Sequence, residues 1–519
     1  MFCRMRRYIL RMHVWKVIGS VMLATNLIAL MYLWLLQSNL EHHEKFKKPI
    51  QEKLPTHKQE NSITVIIREF EAFDNVLPLT IEHLHSKFPS FKLIAFTDSV
   101  PYPPIELPDI ANVAFINLNP NPDISRHMSL IDDQISSKYV MIVPDGIKIP
   151  DYLPLDTVFI DKYKKLSPSA RIIALPIGNK GGNHLNVEVN LREWTLKYSQ
   201  SKDPLCTGLW GNYIIFMQTS DLLELPYPLE RPFLDGLFIQ TALRDWKVSV
   251  VNIEPKITFV KDLYSEPHDA WKLKSLTRTR HKELYKKFGI KYVVRANRVE
   301  EWHGCSKDTE RCFGTVHDET PSYIYAGKWT PPCCLQALRR TGRHVFNELK
   351  KCNARFWLEG GSLLGAARNG DIIPWDYDID IGIYKDDIRI CKNLKDVTRE
   401  FPFIDDDGFI WEKATEGEFY RVQYSETNHL HVDIFPFYPK DNHEMPIMTK
   451  DTWFKTHRQD TEFPEHYLKP FTNIDFIGVQ APAPNHVREF LELKFGKGVI
   501  EKPEYPNPAK IKLKQVGSL

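Results

Sequence analysis

The chain has 519 residues with a formal net charge of +2, 26% charged residues and 43% hydrophobic residues. That length exceeds what one hydrophobic core usually organises, so two domains behind a short N-terminal module are expected. The near-neutral balance excludes a nucleic-acid binder held by bulk electrostatics, and leaves room only for local basic sites.

In chain order, residues 1–16 carry Arg4, Arg6, Arg7, Arg11 and Lys16 without an acidic residue. Residues 17–36, from Val17 to Leu36, are uncharged and as a helix would span about 30 Å, enough for a bilayer core. The basic flank predicts a cytosolic N-terminus and a type II signal anchor. A cleaved signal peptide would have a shorter apolar stretch ending in small residues, which this segment lacks. Residues 37–61, with His42 and His43 among mixed Lys and Glu, lack apolar periodicity and read as a tether.

From residue 62, β-prone runs alternate with helical stretches: Ile63–Ile67, Lys92–Phe96, Tyr139–Val143, Arg171–Leu175, Tyr213–Phe216 and Val248–Val251. This predicts a mainly parallel α/β sheet over residues 62–285, in an order that resembles a GT-A glycosyltransferase domain. Where such an enzyme would usually carry a metal-binding Asp-x-Asp, this chain has Val143-Pro144-Asp145-Gly146. One carboxylate beside Pro and Gly suits a turn better than a metal site. The region is therefore expected to be a non-catalytic stem that positions the acceptor or oligomerises. Asp235 is a second, weaker acidic candidate, and the basic segment 272–287 reads as a solvated helix leading to a second domain, residues 286–519.

Four of eight cysteines, Cys305, Cys312, Cys333 and Cys334, fall within thirty positions. Four thiolates match a tetrahedral zinc site, but the spacing lacks the paired C-x₂-C form, and two disulfides remain open in an oxidising lumen. Cys352 and Cys391 read as buried core thiols. Residues 333–351 form a basic amphipathic helix leading to a strand at Phe356–Leu358. Glu359-Gly360-Gly361-Ser362 then makes a turn whose backbone N–H groups, with the following helix N-terminus, suit a phosphate. Arg368 is a candidate phosphate partner and equally a surface arginine.

Asp376, Asp378 and Asp380 occupy alternate positions of an expected strand and would point to one face. Carboxylates so placed repel one another unless a cation sits among them, and a hard ion, Mg²⁺ or Mn²⁺, fits oxygen ligands and commonly holds a nucleotide diphosphate. In His431-Val432-Asp433-Ile434-Phe435, Asp433 interrupts an apolar run and needs a cation or donor. It would join Asp378 and Asp380 from a neighbouring strand, as a metal ligand or as acceptor of the proton of the attacking hydroxyl.

Gly-Gly-Ser-Leu-Leu-Gly, Pro-Trp-Asp-x-Asp-Ile-Asp and His-Val-Asp-Ile-Phe resemble the LicD group of the nucleotidyltransferase fold. The chain from anchor to Pro-rich tail is similar to the fukutin-related ribitol-5-phosphate transferases of animals within that group. Tyr377 departs from the Asp found in many relatives. The resemblance implies a C-terminal nucleotidyltransferase-fold α/β domain using CDP-ribitol, with Gly360, Gly361, Ser362 and Arg368 on the donor and Mg²⁺ held by Asp376, Asp378, Asp380 and Asp433. It also implies structural Zn²⁺ on Cys305, Cys312, Cys333 and Cys334 in the loop 305–334. Arg311, inside that loop, would read a phosphate on the acceptor, an O-mannosyl glycan of α-dystroglycan. CMP would leave, the tail near Phe495–Gly498 and 503–508 would fold over the donor, and the enzyme would sit in the Golgi membrane with its catalytic domain lumenal.

Overall fold

A computed structural model describes residues 62–504, apart from 119–126, 152, 167–168, 179–181, 312–315, 318–319, 396, 398–399, 442–444 and 453–459. The expected anchor at 17–36, the tether, Cys312 and the tail segment 505–519 lie outside the described residues. Among the described residues no helix is long and apolar enough to cross a membrane.

The first half is built on an eight-stranded sheet. Strands β1 (Ile63–Ile67), β2 (Lys92–Thr97) and β3 (Tyr139–Val143) arise from runs rich in Ile, Val and Leu, and β1 is parallel to both neighbours. Alternate residues feed two cores, with Ile66, Ile94 and Val140 on one face and Val65, Leu93 and Met141 on the other, as the two-residue strand period requires. The sheet is mixed rather than mainly parallel: Tyr213–Gln218 runs antiparallel to both neighbours. It follows an antiparallel hairpin, Asn183–Asn190 with Thr195–Gln200, so the chain returns to the sheet without a crossover helix. Helix α1 (Pro267–Phe288) ends at Gly289 in the left-handed conformation, and the strands Tyr292–Val294 and Glu300–Trp302 then pair into the hairpin sheet.

The second half has its own core, running from Cys305 to Leu491. Helix α2 (Pro332–Lys351) packs Leu338, Thr341, Val345 and Leu349 inward at helical spacing. Strand β4 (Phe356–Leu358) leads to helix α3 (Gly360–Asn369), and the sheet continues through β5 (Ile379–Tyr384), β6 (Tyr420–Gln423), β7 (His431–Lys440) and β8 (Ile447–Lys450). β5 lies between β4 and β7, antiparallel to the first and parallel to the second; β6 and β8 flank different stretches of β7. Helix α4 (Val487–Phe495) packs against α3. Cys352 and Cys391, expected as separate core thiols, are joined as a disulfide, with Cα atoms 5.3 Å apart. The end of α2 and the segment after β5 meet there, which sequence distance conceals.

Candidate functional site

The carboxylates converge on one cavity of about 510 Å³ lined by residues of α3, β5 and β7, a size suited to a nucleotide-like ligand. The expected single strand carrying three aspartates is shorter than its sequence suggested. β5 begins at Ile379, and only Asp380 lies in it. Asp376 sits in a turn closed by its backbone N–H on Ile373 O (2.9 Å), and its Oδ1 accepts from Tyr377 N (3.0 Å). That side-chain bond competes with strand pairing, which is how Asp commonly ends a regular element. Asp376, Asp378 and Asp380 nevertheless all line the cavity.

The parallel register of β5 on β7 sets Asp380 beside Asp433. Burial, followed by repulsion from Asp380, Asp376 and Asp433, holds the Asp378 carboxyl well above the usual carboxylate range. Asp380 is raised in the same way, by burial and then by Asp433 and Asp376. Such a group of like charges favours a bound cation. Among the described residues no three His, Cys, Asp or Glu side chains are already gathered at ligand distance. The reason lies partly in Asp433, whose two oxygens accept from Arg421: Nε at 2.8 Å and Nη2 at 3.1 Å. Arg421 reaches Glu416 with its third nitrogen, at 3.0 Å. Although burial works to lower it, these two carboxylates raise the Arg421 pKa above the usual guanidinium value.

Gly360 and Gly361 form the wall facing these carboxylates. A Cβ on Gly361 would come within 2.8 Å of Asp376 Oδ2, and Gly360 has φ +50° with Asp380 Oδ2 nearby. Only glycine gives the backbone this approach. The two residues open α3 instead of forming a separate turn, and both line the cavity, so the first helical turn, whose N–H groups lack acceptors within the helix, borders it. Ser362, expected on the donor, is instead buried and accepts from Asp380 N at 2.9 Å, joining the start of α3 to β5. Arg368 does not line the cavity: its Nη2 donates to Val499 O at 2.6 Å. It stands at the far end of α3, about one and two-thirds turns beyond Ser362. Its assignment to the donor is corrected to a tie on the C-terminal segment.

Glu359 caps this arrangement from beneath. It takes the N-terminal flanking position of α3, accepts from Trp357 Nε1 at 2.8 Å and forms an ion pair with Lys494 of α4, both partners being almost fully buried. Arg311 lines the cavity as its position in the cysteine loop suggested. Lys450 and Arg421, which carried no recognised motif, also line it, as does His431, which opens the His-Val-Asp-Ile-Phe run but carried no assigned role. Lys450 is paired with Asp460 at 2.6 Å and lies over the Phe435 ring. His431 Nδ1 must be the protonated nitrogen, since it meets the carbonyl oxygen of His429 at 3.0 Å, which leaves Nε2 with its lone pair 3.8 Å from Asp433 Oδ2. Burial lowers its pKa and keeps the ring neutral. In the cysteine loop, Cys305 and Cys333 are joined, one of the two arrangements left open, and Cys334 Sγ lies 3.5 Å from Cys305 Sγ.

Among the described residues the first half offers no comparable group. Asp145 is buried as a turn residue, accepting from Thr80 Oγ1 (2.6 Å), Val76 N (2.8 Å) and Gly146 N (2.8 Å). Asp235 is engaged by Tyr198 (2.9 Å) and His281 (3.0 Å). At the carboxyl ends of β1 and β2, where open α/β sheets commonly bind ligands, an ion-pair network stands instead. Arg68 binds Asp98 and the Leu229 carbonyl, and Glu71 is shared by Arg231 and Arg280. We predict that Asp145→Ala leaves transfer within about twofold of wild type. It should cost roughly 1–3 kcal/mol of stability, because three donors lose their buried acceptor; a melting curve beside a transfer assay checks both.

Residues 49–296 match the family model described as the fukutin-related protein stem domain, and residues 353–486 the LicD/FKTN/FKRP nucleotidyltransferase domain. The chain is 46% identical over 453 residues to ribitol 5-phosphate transferase FKRP of Mus musculus and 45% identical to that of Homo sapiens. In each case 87% of this chain and 90% of the relative is covered. Among solved structures, a lincosamide antibiotic adenylyltransferase, LnuA, aligns with 31% of this chain and 85% of its own, at 16% identity and a TM-score of 0.21. The stem, the glycine-backed carboxylate cavity and this identity across nearly the whole length establish that the chain belongs to the fukutin-related family of the LicD group.

Proposed function

We propose that this chain transfers ribitol 5-phosphate from CDP-ribitol to a ribitol-phosphate-bearing O-mannosyl glycan of α-dystroglycan. The acceptor hydroxyl oxygen bonds to the ribitol-bearing phosphorus, the bridging P–O bond breaks, and CMP leaves. The observation that carries this reading is the extent of similarity to two ribitol 5-phosphate transferases, with Asp378, Asp380 and Asp433 facing a helix N-terminus across one cavity.

Asp378 and Asp380 would hold Mg²⁺ or Mn²⁺, with Asp376 and Asp433 beside them, and the ion would supply charge neutralisation for the diphosphate and the leaving group. Gly360 and Gly361 present backbone N–H groups to the diphosphate. Both Asp433 oxygens accept from the Arg421 guanidinium, which suits that carboxylate to a charge-neutralising role beside the cation more than to proton transfer. The lone pair on His431 Nε2 suits that ring to receive the acceptor's proton. Arg311 and Lys450 are the cationic groups for phosphates entering from the acceptor side.

At the cysteine loop we propose structural Zn²⁺ on the reduced thiolates of Cys305, Cys312, Cys333 and Cys334, in place of the Cys305–Cys333 bond. The separation of Cys305 and Cys334 sulfurs, 3.5 Å, is close to the roughly 3.8 Å between two thiolates of a tetrahedral zinc site. Metal analysis of the purified protein should give about one Zn²⁺ per chain, lost in Cys334→Ser. Mass spectrometry of unreduced peptides showing Cys305 or Cys312 oxidised to Cys333 or Cys334 would exclude it. The proposal further places the N-terminal segment 17–36 as a type II anchor in the Golgi membrane, with a GT-A-like stem that presents the acceptor or joins copies. The donor assignment is tested by assaying CDP-ribitol against a panel of sugar nucleotides. Ribitol phosphate transfer with CMP release is expected, and transfer of a sugar from any of the others, with CDP-ribitol inert, would refute it.

A further inference from the structure

Asp380 is held by the ladder of β5, but Asp376 and Asp378 precede that strand and lie outside regular structure. Their backbone must be fixed by other partners. Three successive carbonyls of the approach to Asp378 are met from one short segment. Thr330 N donates to Pro374 O at 2.8 Å, Tyr323 OH lies 3.3 Å from Trp375 O, and the Thr330 hydroxyl donates to Asp376 O. Because the Thr330 proton is committed to Asp376, Tyr323 OH is the donor in its 2.8 Å contact with Thr330 Oγ1. Both side chains are buried, where such bonds meet no competition from water.

The next residue back, Trp329, is fastened to the stem. Its N–H donates to Arg192 O at 3.0 Å and its carbonyl accepts from Trp194 Nε1 at 2.8 Å. Arg192 and Trp194 lie in the connection between the hairpin strands Asn183–Asn190 and Thr195–Gln200. Two cations face the two rings: Arg192 stands 5.0 Å from the Trp329 centroid and Lys328 Nζ 4.1 Å from that of Trp194. Trp194 has φ +58°, a conformation that bulky side chains rarely adopt and that persists only where surrounding contacts over-determine it. Here its carbonyl accepts from Lys291 N and Tyr292 N at 2.8 and 3.1 Å while its ring nitrogen reaches Trp329.

We infer that Thr330 is a positioning residue for the cation, and that the stem hairpin, acting through Trp194 and Trp329, fixes Thr330 in place. Together they set where Asp376 and Asp378 stand relative to Asp380 and Asp433. The inference rests on the proposed Mg²⁺ or Mn²⁺ and deepens it: the stem contributes to the affinity for an ion that none of its residues touches. Mg²⁺ is exacting in its coordination geometry, so a small displacement of two carboxylates is felt as weaker binding.

The test is a Mn²⁺ titration of the full-length chain, with and without CDP, read from the electron paramagnetic resonance of the free ion. Wild type, Thr330→Val, Thr330→Ser and Trp194→Phe are compared. Thr330→Val keeps the branched shape and removes the hydroxyl between Tyr323 and Asp376. We expect its Mn²⁺ Kd to rise roughly tenfold, the scale of one or two lost buried hydrogen bonds. Thr330→Ser should bind as wild type does, and Trp194→Phe, which alters no residue of the turn, should raise the Kd about threefold. In transfer assays the Mg²⁺ concentration giving half-maximal rate should rise in the same order, with kcat at saturating Mg²⁺ within about twofold of wild type. A wild-type Kd in folded Thr330→Val or in Trp194→Phe would overturn the inference, and Trp194→Phe decides alone if Thr330→Val does not fold. So would a rise shared equally by Thr330→Ser, since the hydroxyl would then not be the cause. Wild type that binds no Mn²⁺ in either condition would overturn the proposed cation and this inference with it, whereas equal binding by wild type and variants would overturn the inference alone.

Discussion

Asp380→Asn should abolish transfer, lowering turnover by about 10³-fold or more at saturating Mg²⁺ or Mn²⁺, while the melting temperature stays at or above that of wild type. Asp380 faces Asp433 across the parallel pair and shares its cavity with Asp376 and Asp378. Replacing one of these carboxylates by an amide removes repulsion in the free protein and removes a ligand from the cation-loaded one. Loss of metal stabilisation at a developing phosphate charge is worth several kcal/mol, and about 4 kcal/mol corresponds to the expected factor. The backbone contact from Asp380 N to Ser362 is unaffected by the substitution, so the fold should persist. A stable Asp380→Asn protein with near-normal turnover would show that this carboxylate holds no essential ion.

Lys494→Met should be the most destabilising single change near the cavity. Lys494 and Glu359 have side chains 1% and 5% exposed, and removing one member of a buried pair leaves the other as an uncompensated charge, at a cost of about 3–5 kcal/mol. Because Glu359 flanks the first turn of α3, the damage should include the glycine wall, with donor KM raised before activity is lost. The double variant Lys494→Met, Glu359→Gln should recover much of the stability, since the amide can still accept from Trp357 and carries no charge. Chemical denaturation of the three proteins gives the coupling directly. Equal stability for the single and double variants would show that the pair does not act as a unit.

The parts of this chain that could be read in advance are those whose signal is local. The apolar runs of β1, β2 and β3 and the helical spacing of α2 specify their own conformations, and the glycine pair before the aspartates announces a close backbone approach. The start of β5 was misjudged because the Asp376 side chain bonds the next backbone N–H, an interaction that strand alternation does not register. Arg421 and Lys494 were missed for a different reason. Each is an ordinary surface-type residue in its own segment, and each becomes a site residue only through pairing: Arg421 through the register of β6 on β7, Lys494 through the packing of α4 on α3. Arg368 erred the other way, since sequence proximity to the glycines does not fix which end of a helix meets the cavity. The Cys352–Cys391 bond likewise depends on tertiary approach.

The central claim is that ribitol phosphate transfer occurs at the carboxylate cavity of the second half. It is tested most directly by following CMP release and phosphodiester formation from CDP-ribitol with a short ribitol phosphate acceptor, for wild type, Asp380→Asn and Asp145→Ala at matched folded concentration. The account predicts stoichiometric CMP and phosphodiester from wild type and Asp145→Ala, and neither product from Asp380→Asn. Product formation by Asp380→Asn together with its loss in folded Asp145→Ala would contradict it and move the chemistry to the stem.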